Sequence, residues 1–339
     1  MDLIPNDDQQ QIIDLAADFI VNELPLTRLF DAHYDADEAR AQRKAMAELG
    51  WIGIALPEDS GGVGMTVVEE AFILREMGRV IGPTAIIPSI LAAKLADRLG
   101  LPALRDRLLS GEAAAALAIA EEPLTAGADA VSGTARLYDI QDAECVIVTV
   151  DDEALLLGAT PADLAELPWL DGFTPVARRD LAGLPVLGRA PIGDTAQNGL
   201  LLTAAMLTGL AEGAVAMVQD YAGIRETFGR KIGAYQAVRH PIAEGAARSE
   251  HARSLLYVAA LCLRDGRDDA ALQLGSAKVI AHRAATRNAD TNIQLHGGIG
   301  ITSDLPAHHF MKRALMLAPW FGGRKAQLDA LLDEPLLTI

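Results

Sequence analysis

The chain has 339 residues, of which 50% are apolar and only 4% aromatic, and its formal net charge is −17 at pH 7. This length exceeds what one compact core usually holds, so we expect two or three cooperating subdomains in a helix-rich globular protein. The acidic balance argues against nucleic-acid binding, because no basic face is available to neutralise phosphates. We expect no stretch long and apolar enough to cross a bilayer, and the N-terminus lacks the basic region of a signal peptide.

The cysteine content indicates a cytoplasmic protein. Cys145 and Cys262 lie far apart in the sequence and show no spacing typical of a metal or redox site. Two buried thiols in a reducing compartment explain both residues. The sequence therefore predicts no metal site.

The first 112 residues have the pattern of a helical domain. Asp7 and Asp8 can cap a helix whose apolar residues recur at helical spacing from Ile12 to Ile20. Residues 49–64 are rich in glycine and proline, which predicts a loop. Further helices are predicted over residues 67–77 and 88–109.

Residues 113–195 change character and predict a compact β domain. Short apolar or β-branched runs lie at 116–120, 131–137, 145–150 and 154–157, and turns separate them.

Residues 196–339 are predicted to be helical again. Apolar residues at helical spacing cover 200–221, 242–263 and 270–295, and the many small residues allow close packing of these helices.

Two segments that adjoin the long helices carry chemistry. In the first, Arg225 offers a planar fork to phosphate oxygens, Thr227 adds a hydroxyl, Phe228 an apolar face and Gln236 an amide. In isolation, a solvated helix end in which Arg225, Glu226, Arg230 and Lys231 form local ion pairs is the favoured interpretation. The second segment is Gln294-Leu295-His296-Gly297-Gly298-Ile299-Gly300, whose glycines let the backbone approach a ligand closely. His296 is predicted to be structural.

In this order and at this separation, the two segments resemble the acyl-CoA dehydrogenase family of flavoproteins. The resemblance covers nearly the whole chain, with Pro306 and Arg313 matching the family's closing element. It implies a mainly helical α+β fold: an N-terminal helical domain (1–112), a small middle β-barrel (113–195) and a C-terminal four-helix bundle (196–339). It also implies FAD as the cofactor.

The resemblance assigns roles to individual residues. The first segment, through Arg225, Thr227, Phe228 and Gln236, is expected to contact the pyrophosphate of an FAD bound mainly by a neighbouring subunit. The second is expected to lay its backbone against the adenosine half, and it comprises Gln294, Leu295, Gly297 and Gly298.

The family's catalytic elements are missing. Most members carry a catalytic glutamate nine residues after the closing arginine, and a minority carry it at the start of the long helix before the first segment. These positions are Gly322 and Gly199 here, so the sequence offers no catalytic residue at either. The family's flavin-ring loop is altered to Ala120-Glu121-Glu122-Pro123-Leu124-Thr125-Ala126-Gly127-Ala128-Asp129, and its tryptophan-containing strand is absent.

These departures predict a heteromer. A partner chain would supply the flavin-ring site and the glutamate, as in the α2β2 acyl-CoA dehydrogenases of bacterial steroid side-chain catabolism, which this chain resembles. The implied partners are that second subunit, an acyl-CoA substrate and an electron-transfer flavoprotein. Two alternatives stay open: a homomeric enzyme with a relocated base (Glu121, Glu244 or Glu250), and a catalytically inactive helical scaffold.

Overall fold

The computed structural model describes residues 3–30, 33–127, 129–159 and 164–333. Within these ranges, five α-helices precede nine strands, and a long helix, a two-stranded hairpin and four further α-helices follow. The elements in chain order are α1 (Asp7–Glu23), α2 (Ala36–Glu48), α3 (Val67–Arg79), α4 (Ile86–Arg98), α5 (Pro102–Leu109), β1 (Ala114–Ala120), β2 (Thr125–Ala126), β3 (Val131–Ser132), β4 (Thr134–Tyr138), β5 (Ala143–Val150), β6 (Glu153–Gly158), β7 (Ala165–Glu166), β8 (Val176–Asp180), β9 (Val186–Pro191), α6 (Gly193–Ile224), β10 (Glu226–Thr227), β11 (Arg230–Lys231), α7 (Gln236–Arg264), α8 (Ala270–His296), α9 (Ala307–Leu317) and α10 (Arg324–Asp333). This order confirms the mainly helical α+β class.

The chain forms two compact units. The helical unit comprises Met1–Ala32, Val67–Gly82 and Leu200–Ile339, and the mixed unit comprises His33–Thr66 and Pro83–Gly199. The domain boundaries expected at 112/113 and 195/196 stay a prediction.

The mixed unit contains one seven-stranded sheet in the order β7-β8-β4-β1-β5-β6-β9. β1 pairs in parallel with β5, and the other ladders of this sheet are antiparallel. Val146 and Val148 of β5 and Leu155 and Leu157 of β6 are buried in its apolar core. The predicted compact β domain is therefore present as a sheet with β7 and β9 at its ends.

In the helical unit, α3 and α6 approach each other backbone to backbone at three glycines. A Cβ added to Gly209 would lie 1.9 Å from the carbonyl oxygen of Arg75, and one on Gly213 would lie 2.1 Å from that of Arg79. A Cβ on Gly78 would lie 2.2 Å from the carbonyl oxygen of Met206. Only glycine permits this approach at these positions.

Asn288 links three helices of this unit. Its amide nitrogen donates to the carbonyl oxygens of Ala211 on α6 (3.0 Å) and Gly245 on α7 (3.1 Å), and to Oγ of Ser249 (2.9 Å). Its amide oxygen accepts from Nε of Arg248 at 2.8 Å. Because Asn288 is fully buried and all these groups are satisfied, it fixes the relative register of α6, α7 and α8.

Two expectations about the helices need correction. The cap of α1 is Asn6, whose side chain accepts from the backbone N–H of Gln9 in a capping box, while Asp7 and Asp8 lie in the first turn. The expectation that no stretch could span a bilayer is wrong by length and composition, because α6 meets both criteria. However, 83% of its most apolar window is buried within the structure, as in a core helix.

Candidate cofactor-contact site

The first predicted segment forms a tight hairpin directly after α6. Glu226 pairs with Lys231 and Thr227 with Arg230, so Phe228 and Gly229 form the two-residue turn. Both turn residues have positive φ, 50° and 79°. This combination matches a type I′ turn, the type that suits short hairpins. The turn is strained at Phe228, whose side chain is 97% exposed.

The start of α7 holds the hairpin in place. The hydroxyl of Tyr235 donates to the carbonyl oxygen of Thr227 at 3.0 Å, and the guanidinium of Arg230 lies 3.9 Å from the Tyr235 ring centroid. The N–H of Ile232 donates to the carbonyl oxygen of Arg225 at 2.8 Å. The backbone beneath the Arg225 side chain is therefore fixed.

Arg225 and Gln236 present free polar groups beside this hairpin. Both are exposed. Across the residues that the structure describes, the Arg225 guanidinium has no hydrogen-bond or ion-pair partner. Gln236 begins α7, whose N-terminus has no side-chain cap. A free guanidinium next to uncapped helical N–H groups favours an anionic group such as phosphate.

The second predicted segment is the turn at the end of α8. Gly297 has φ 70° and ψ −146°, a conformation that only glycine adopts readily. A Cβ on Gly297 or Gly298 would have no atom within 4 Å, whereas one on Gly300 would lie 2.6 Å from the carbonyl oxygen of Ile293. Packing within the described chain therefore explains glycine at 300 but not at 298.

The structure brings the two segments together through the ends of α6 and α8. The rings of Tyr221 and His296 stack with centroids 4.3 Å apart and an interplanar angle of 31°. Deeper in the same contact, Nδ2 of Asn292 lies 3.5 Å from Sδ of Met217. Gln294 is exposed and Leu295 half-buried beside the glycine turn. The first segment follows the end of α6 and the second lies at the end of α8, so the contact between these two helix ends brings the predicted segments near each other.

Sequence reasoning did not identify Tyr221 and Asn292 as parts of this contact, and it gave His296 only a structural role. Asn288, Asn292 and His296 are all buried and recur every four residues along one face of α8. These three polar residues on an otherwise alanine-rich face of α8 were the signal available in the sequence, because buried polar groups need hydrogen-bond partners. Tyr221, one turn before Arg225, carried no comparable signal.

The two expected base positions carry no carboxylate. Gly199 is buried within α6. Gly322 has φ +93°, and a Cβ there would lie 2.5 Å from Nε2 of Gln327. A side chain at 322 would therefore need both a strained backbone and a displaced Gln327.

A buried lysine holds the loop around Gly322. Nζ of Lys278 donates to the carbonyl oxygens of Trp320 and Gly322, the latter at 3.3 Å. Lys278 is 2% exposed, and burial lowers its pKa to about 7. No carboxylate in the described part of the chain pairs with it. This basic, glycine-containing loop cannot supply a carboxylate base.

The candidates for a relocated base are all ion-paired. Glu121 lies 2.6 Å from Nε of both Arg136 and Arg178, whose hydrogen bonds lower its pKa. Glu244 and Glu250 are exposed and pair with neighbouring arginines on α7. Ala128, in the altered flavin-ring loop, lies outside the described residues.

A separate cavity of about 700 Å³ lies between α1, α3 and α7 of the helical unit. Its floor contains Arg75, which lies 2.9 to 3.0 Å from the carboxylate oxygens of Glu212, 3.1 Å from Glu76 and 3.2 Å from the Tyr257 hydroxyl. Burial raises the pKa of Glu76, although Arg75 and Arg79 lower it. The contacts of Arg75 with Glu212 on α6 and Tyr257 on α7 hold α3 to these two helices.

The fold and these two segments belong to a family of flavoproteins. The N-terminal domain of acyl-CoA dehydrogenases matches residues 6–115, and the C-terminal domain matches residues 191–334. The chain therefore belongs to the acyl-CoA dehydrogenase family, whose members use FAD and oxidise CH–CH donors.

This chain is similar to several known proteins, and it covers a different share of the length of each. FadE34, an acyl-CoA dehydrogenase of Mycobacterium tuberculosis, is 30% identical over 85% of this chain, which spans only 41% of FadE34. (R)-benzylsuccinyl-CoA dehydrogenase of Thauera aromatica is 29% identical over 90% of this chain and 89% of its own length. The structure of a Tcur3481–Tcur3483 steroid ACAD variant is 25% identical, with a TM-score of 0.85 over 96% of this chain and 97% of that one.

Proposed function

We propose that this chain is one subunit of an FAD-dependent acyl-CoA dehydrogenase. It completes the FAD site at an interface with a second acyl-CoA dehydrogenase chain, and that partner supplies the catalytic glutamate. The observation that carries the proposal is a contrast within the helical unit. The ends of α6 and α8 present unpaired cofactor-contact groups, whereas Gly322 is held in a conformation that disfavours any side chain.

The residues fit the pyrophosphate and adenosine end of FAD. Arg225 has an unpaired guanidinium for phosphate oxygens, with Thr227 and Gln236 beside it. Gly298 leaves room for a ligand against the backbone, although this chain does not itself need glycine there. The exposed Phe228 offers its ring to an apolar part of the cofactor or of the partner. The strain at the hairpin tip is consistent with such a role.

The reaction is the α,β-desaturation of an acyl-CoA thioester. A base removes a proton from the carbon next to the thioester, a hydride leaves the following carbon, and a C=C double bond forms. FAD, when bound, supplies the hydride acceptor. The base must be a glutamate with a pKa raised by burial, so that it can accept a proton near neutral pH.

The ion pairs of the relocated-base candidates support a base in the partner. The pKa of Glu121 is lowered by its two arginines, which is opposite to what the reaction needs. Glu244 and Glu250 are exposed on α7. A homomeric enzyme with a relocated base would therefore have to use a carboxylate in an unsuitable environment.

We infer a bulky acyl group, either a steroid side chain or another ring-bearing chain. Two of the similar proteins are named for such substrates, a steroid ACAD and benzylsuccinyl-CoA dehydrogenase. We further propose an α2β2 assembly, with an electron-transfer flavoprotein as the electron acceptor.

Flavin reduction by an acyl-CoA tests the proposal. The chain is purified alone and together with a candidate partner, an acyl-CoA dehydrogenase chain that carries the catalytic glutamate. Flavin absorbance is followed anaerobically after a steroid side-chain acyl-CoA is added. We expect bleaching only for the pair, and none when the partner's glutamate is replaced by glutamine. Bleaching of the isolated, FAD-loaded chain would contradict the proposal.

A second measurement separates a cofactor-binding subunit from an inactive scaffold. In the purified pair, Arg225→Ala should lower FAD retention during gel filtration, because it removes the free guanidinium. Arg283→Ala, at an exposed position on α8, is the matched control and should retain FAD like the unmodified pair. Equal retention by both variants would favour the scaffold.

A further inference from the structure

The cavity between α1, α3 and α7 combines apolar and polar walls. Its volume of about 700 Å³ is typical of a small-molecule site and far exceeds what one water molecule needs. On the α1 side it is lined by Pro5, Ile13 and Ala17, which are half-buried, and by the hydrogen-bonded pair Gln10 and Asp14. The side chains that α3 and α7 contribute are all charged or carry a hydroxyl group. This arrangement suits a molecule that has an apolar body and a polar end group.

Glu76 lines this cavity with a buried carboxylate oxygen that lacks a hydrogen bond. The residue is only 3% exposed, and its Oε2 accepts from Nη1 of Arg79 at 3.2 Å. Oε1 lies 3.1 Å from Nη1 of Arg75, but no hydrogen bond reaches it from any residue that the structure describes. A buried acceptor in this state destabilises the fold unless a donor pairs with it. A donor that enters the cavity would satisfy it.

Tyr257 contributes a donor to the same cavity. Its hydroxyl oxygen accepts from Nη1 of Arg75 at 3.2 Å, and within the described part of the chain its own hydrogen has no acceptor. The ring packs edge-on against Phe72 with centroids 5.1 Å apart, which restricts the position of the hydroxyl. Glu76 and Tyr257 both contact the same nitrogen of Arg75, so the unsatisfied acceptor and the available donor are close neighbours.

A hydroxyl group meets both requirements, because it donates one hydrogen and also accepts. A carboxylate end group has no hydrogen to donate and would be repelled by Glu76. An ammonium group can donate to Glu76 but cannot accept from Tyr257. We propose that this cavity binds an apolar molecule with a hydroxyl group, which donates to Glu76 and accepts from Tyr257 while the hydrocarbon body packs against α1. This site is distinct from the ends of α6 and α8, and the inference does not depend on FAD binding.

Three probes with the same hydrocarbon chain and different end groups test the inference. The full chain is titrated calorimetrically at pH 8 with octan-1-ol, octanoate and octylammonium. We expect saturable binding of octan-1-ol, at least about 10-fold tighter than that of either charged probe, because a charged end group would lose its water without gaining a full set of partners. Octylammonium would in addition lie beside the guanidinium groups of Arg75 and Arg79.

Variants of the two polar residues locate the site. Tyr257→Phe keeps the ring against Phe72 but removes the donor, so octan-1-ol should bind about 3- to 10-fold more weakly, the equivalent of one neutral hydrogen bond. Tyr138→Phe is the matched control, because it removes the hydroxyl of a buried tyrosine on β4, outside the cavity, and should bind octan-1-ol like the unmodified chain. Glu76→Gln removes the repulsion of octanoate, so the affinity difference between octan-1-ol and octanoate should narrow.

The preference among the three end groups distinguishes a binding site from a purely structural polar network. A structural effect of Glu76→Gln would weaken all three probes alike. No saturable binding of octan-1-ol would overturn the inference, since water alone would then fill the cavity. Equal affinity for all three probes, tightest binding of a charged probe, or unchanged octan-1-ol affinity in Tyr257→Phe would also overturn it. If either variant fails to fold, the order of the three affinities in the unmodified chain decides.

Discussion

The buried lysine beneath the Gly322 loop should make stability depend on pH in a defined direction. Burial lowers the pKa of Lys278 from 10.5 to about 7 in the folded chain, whereas the unfolded chain keeps the ordinary value. Between these two values the unfolded chain binds the proton and the folded chain does not. The stability contribution of Lys278 therefore rises with pH over this window and is flat below it, where both states are protonated.

The size of the effect follows from the same two values. Each pH unit in the window should add roughly 1 kcal/mol, and the full window on the order of 3 to 5 kcal/mol. Lys278→Met removes the titrating group while keeping most of the apolar stem. The difference in unfolding free energy between the unmodified chain and this variant should therefore increase with pH.

Urea unfolding at a series of pH values, for both proteins, measures that difference and cancels the titration of all other groups. Lys325→Met is the control, because Lys325 is exposed on nearby α10 and pairs with Asp329 at the surface. Its difference curve should be nearly flat. Parallel curves for Lys278→Met and the unmodified chain between about pH 7 and 10 would refute the reasoning, since Lys278 would then titrate alike in both states.

Glycine substitutions give three further predictions, two of them with a second glycine variant for comparison. Gly209→Ala would place a Cβ 1.9 Å from a backbone oxygen of α3, so thermal unfolding should show a free energy of unfolding lowered by about 1–3 kcal/mol or more. Gly223→Ala is the control: its added Cβ would have no atom within 4 Å, so the free energy of unfolding should not fall. Gly298→Ala should leave the melting temperature unchanged but reduce FAD retention in the heteromer. Gly300→Ala should lower the melting temperature. A lower melting temperature for Gly298→Ala, with FAD retention unchanged, would argue against a ligand at Gly298. Gly322→Glu should destabilise the chain and confer no acyl-CoA-dependent flavin reduction on the isolated chain.

The long helices could be predicted from sequence because their apolar periodicity is local. The predicted spans 200–221, 242–263 and 270–295 all lie within α6, α7 and α8. β5 and β6 were also predictable from their β-branched and apolar runs. β7, β8 and β9 were not, because they are short or polar, as in Val176–Asp180, and their pairing depends on strands distant in sequence.

The candidate site could be predicted as two segments but not as one surface. Arg225 and Gly297 were predicted as contact residues from residue type, spacing and resemblance, and their role stays a prediction. Their proximity depends on the stacking of Tyr221 on His296, which is a tertiary contact between two helix ends. Likewise, glycine at 322 was visible in the sequence, but its positive φ and the Lys278 hydrogen bonds depend on the packing of α8 against the α9–α10 loop.

FAD stoichiometry tests the central claim most directly. The flavin bound per chain is measured by absorbance after release from the protein, for this chain alone and for the chain co-expressed with a partner dehydrogenase chain that carries the glutamate. The account predicts one FAD per heterodimer and little on the isolated chain. One FAD per chain in a homotetramer would contradict it, because a chain without its own flavin-ring site should not hold a full complement.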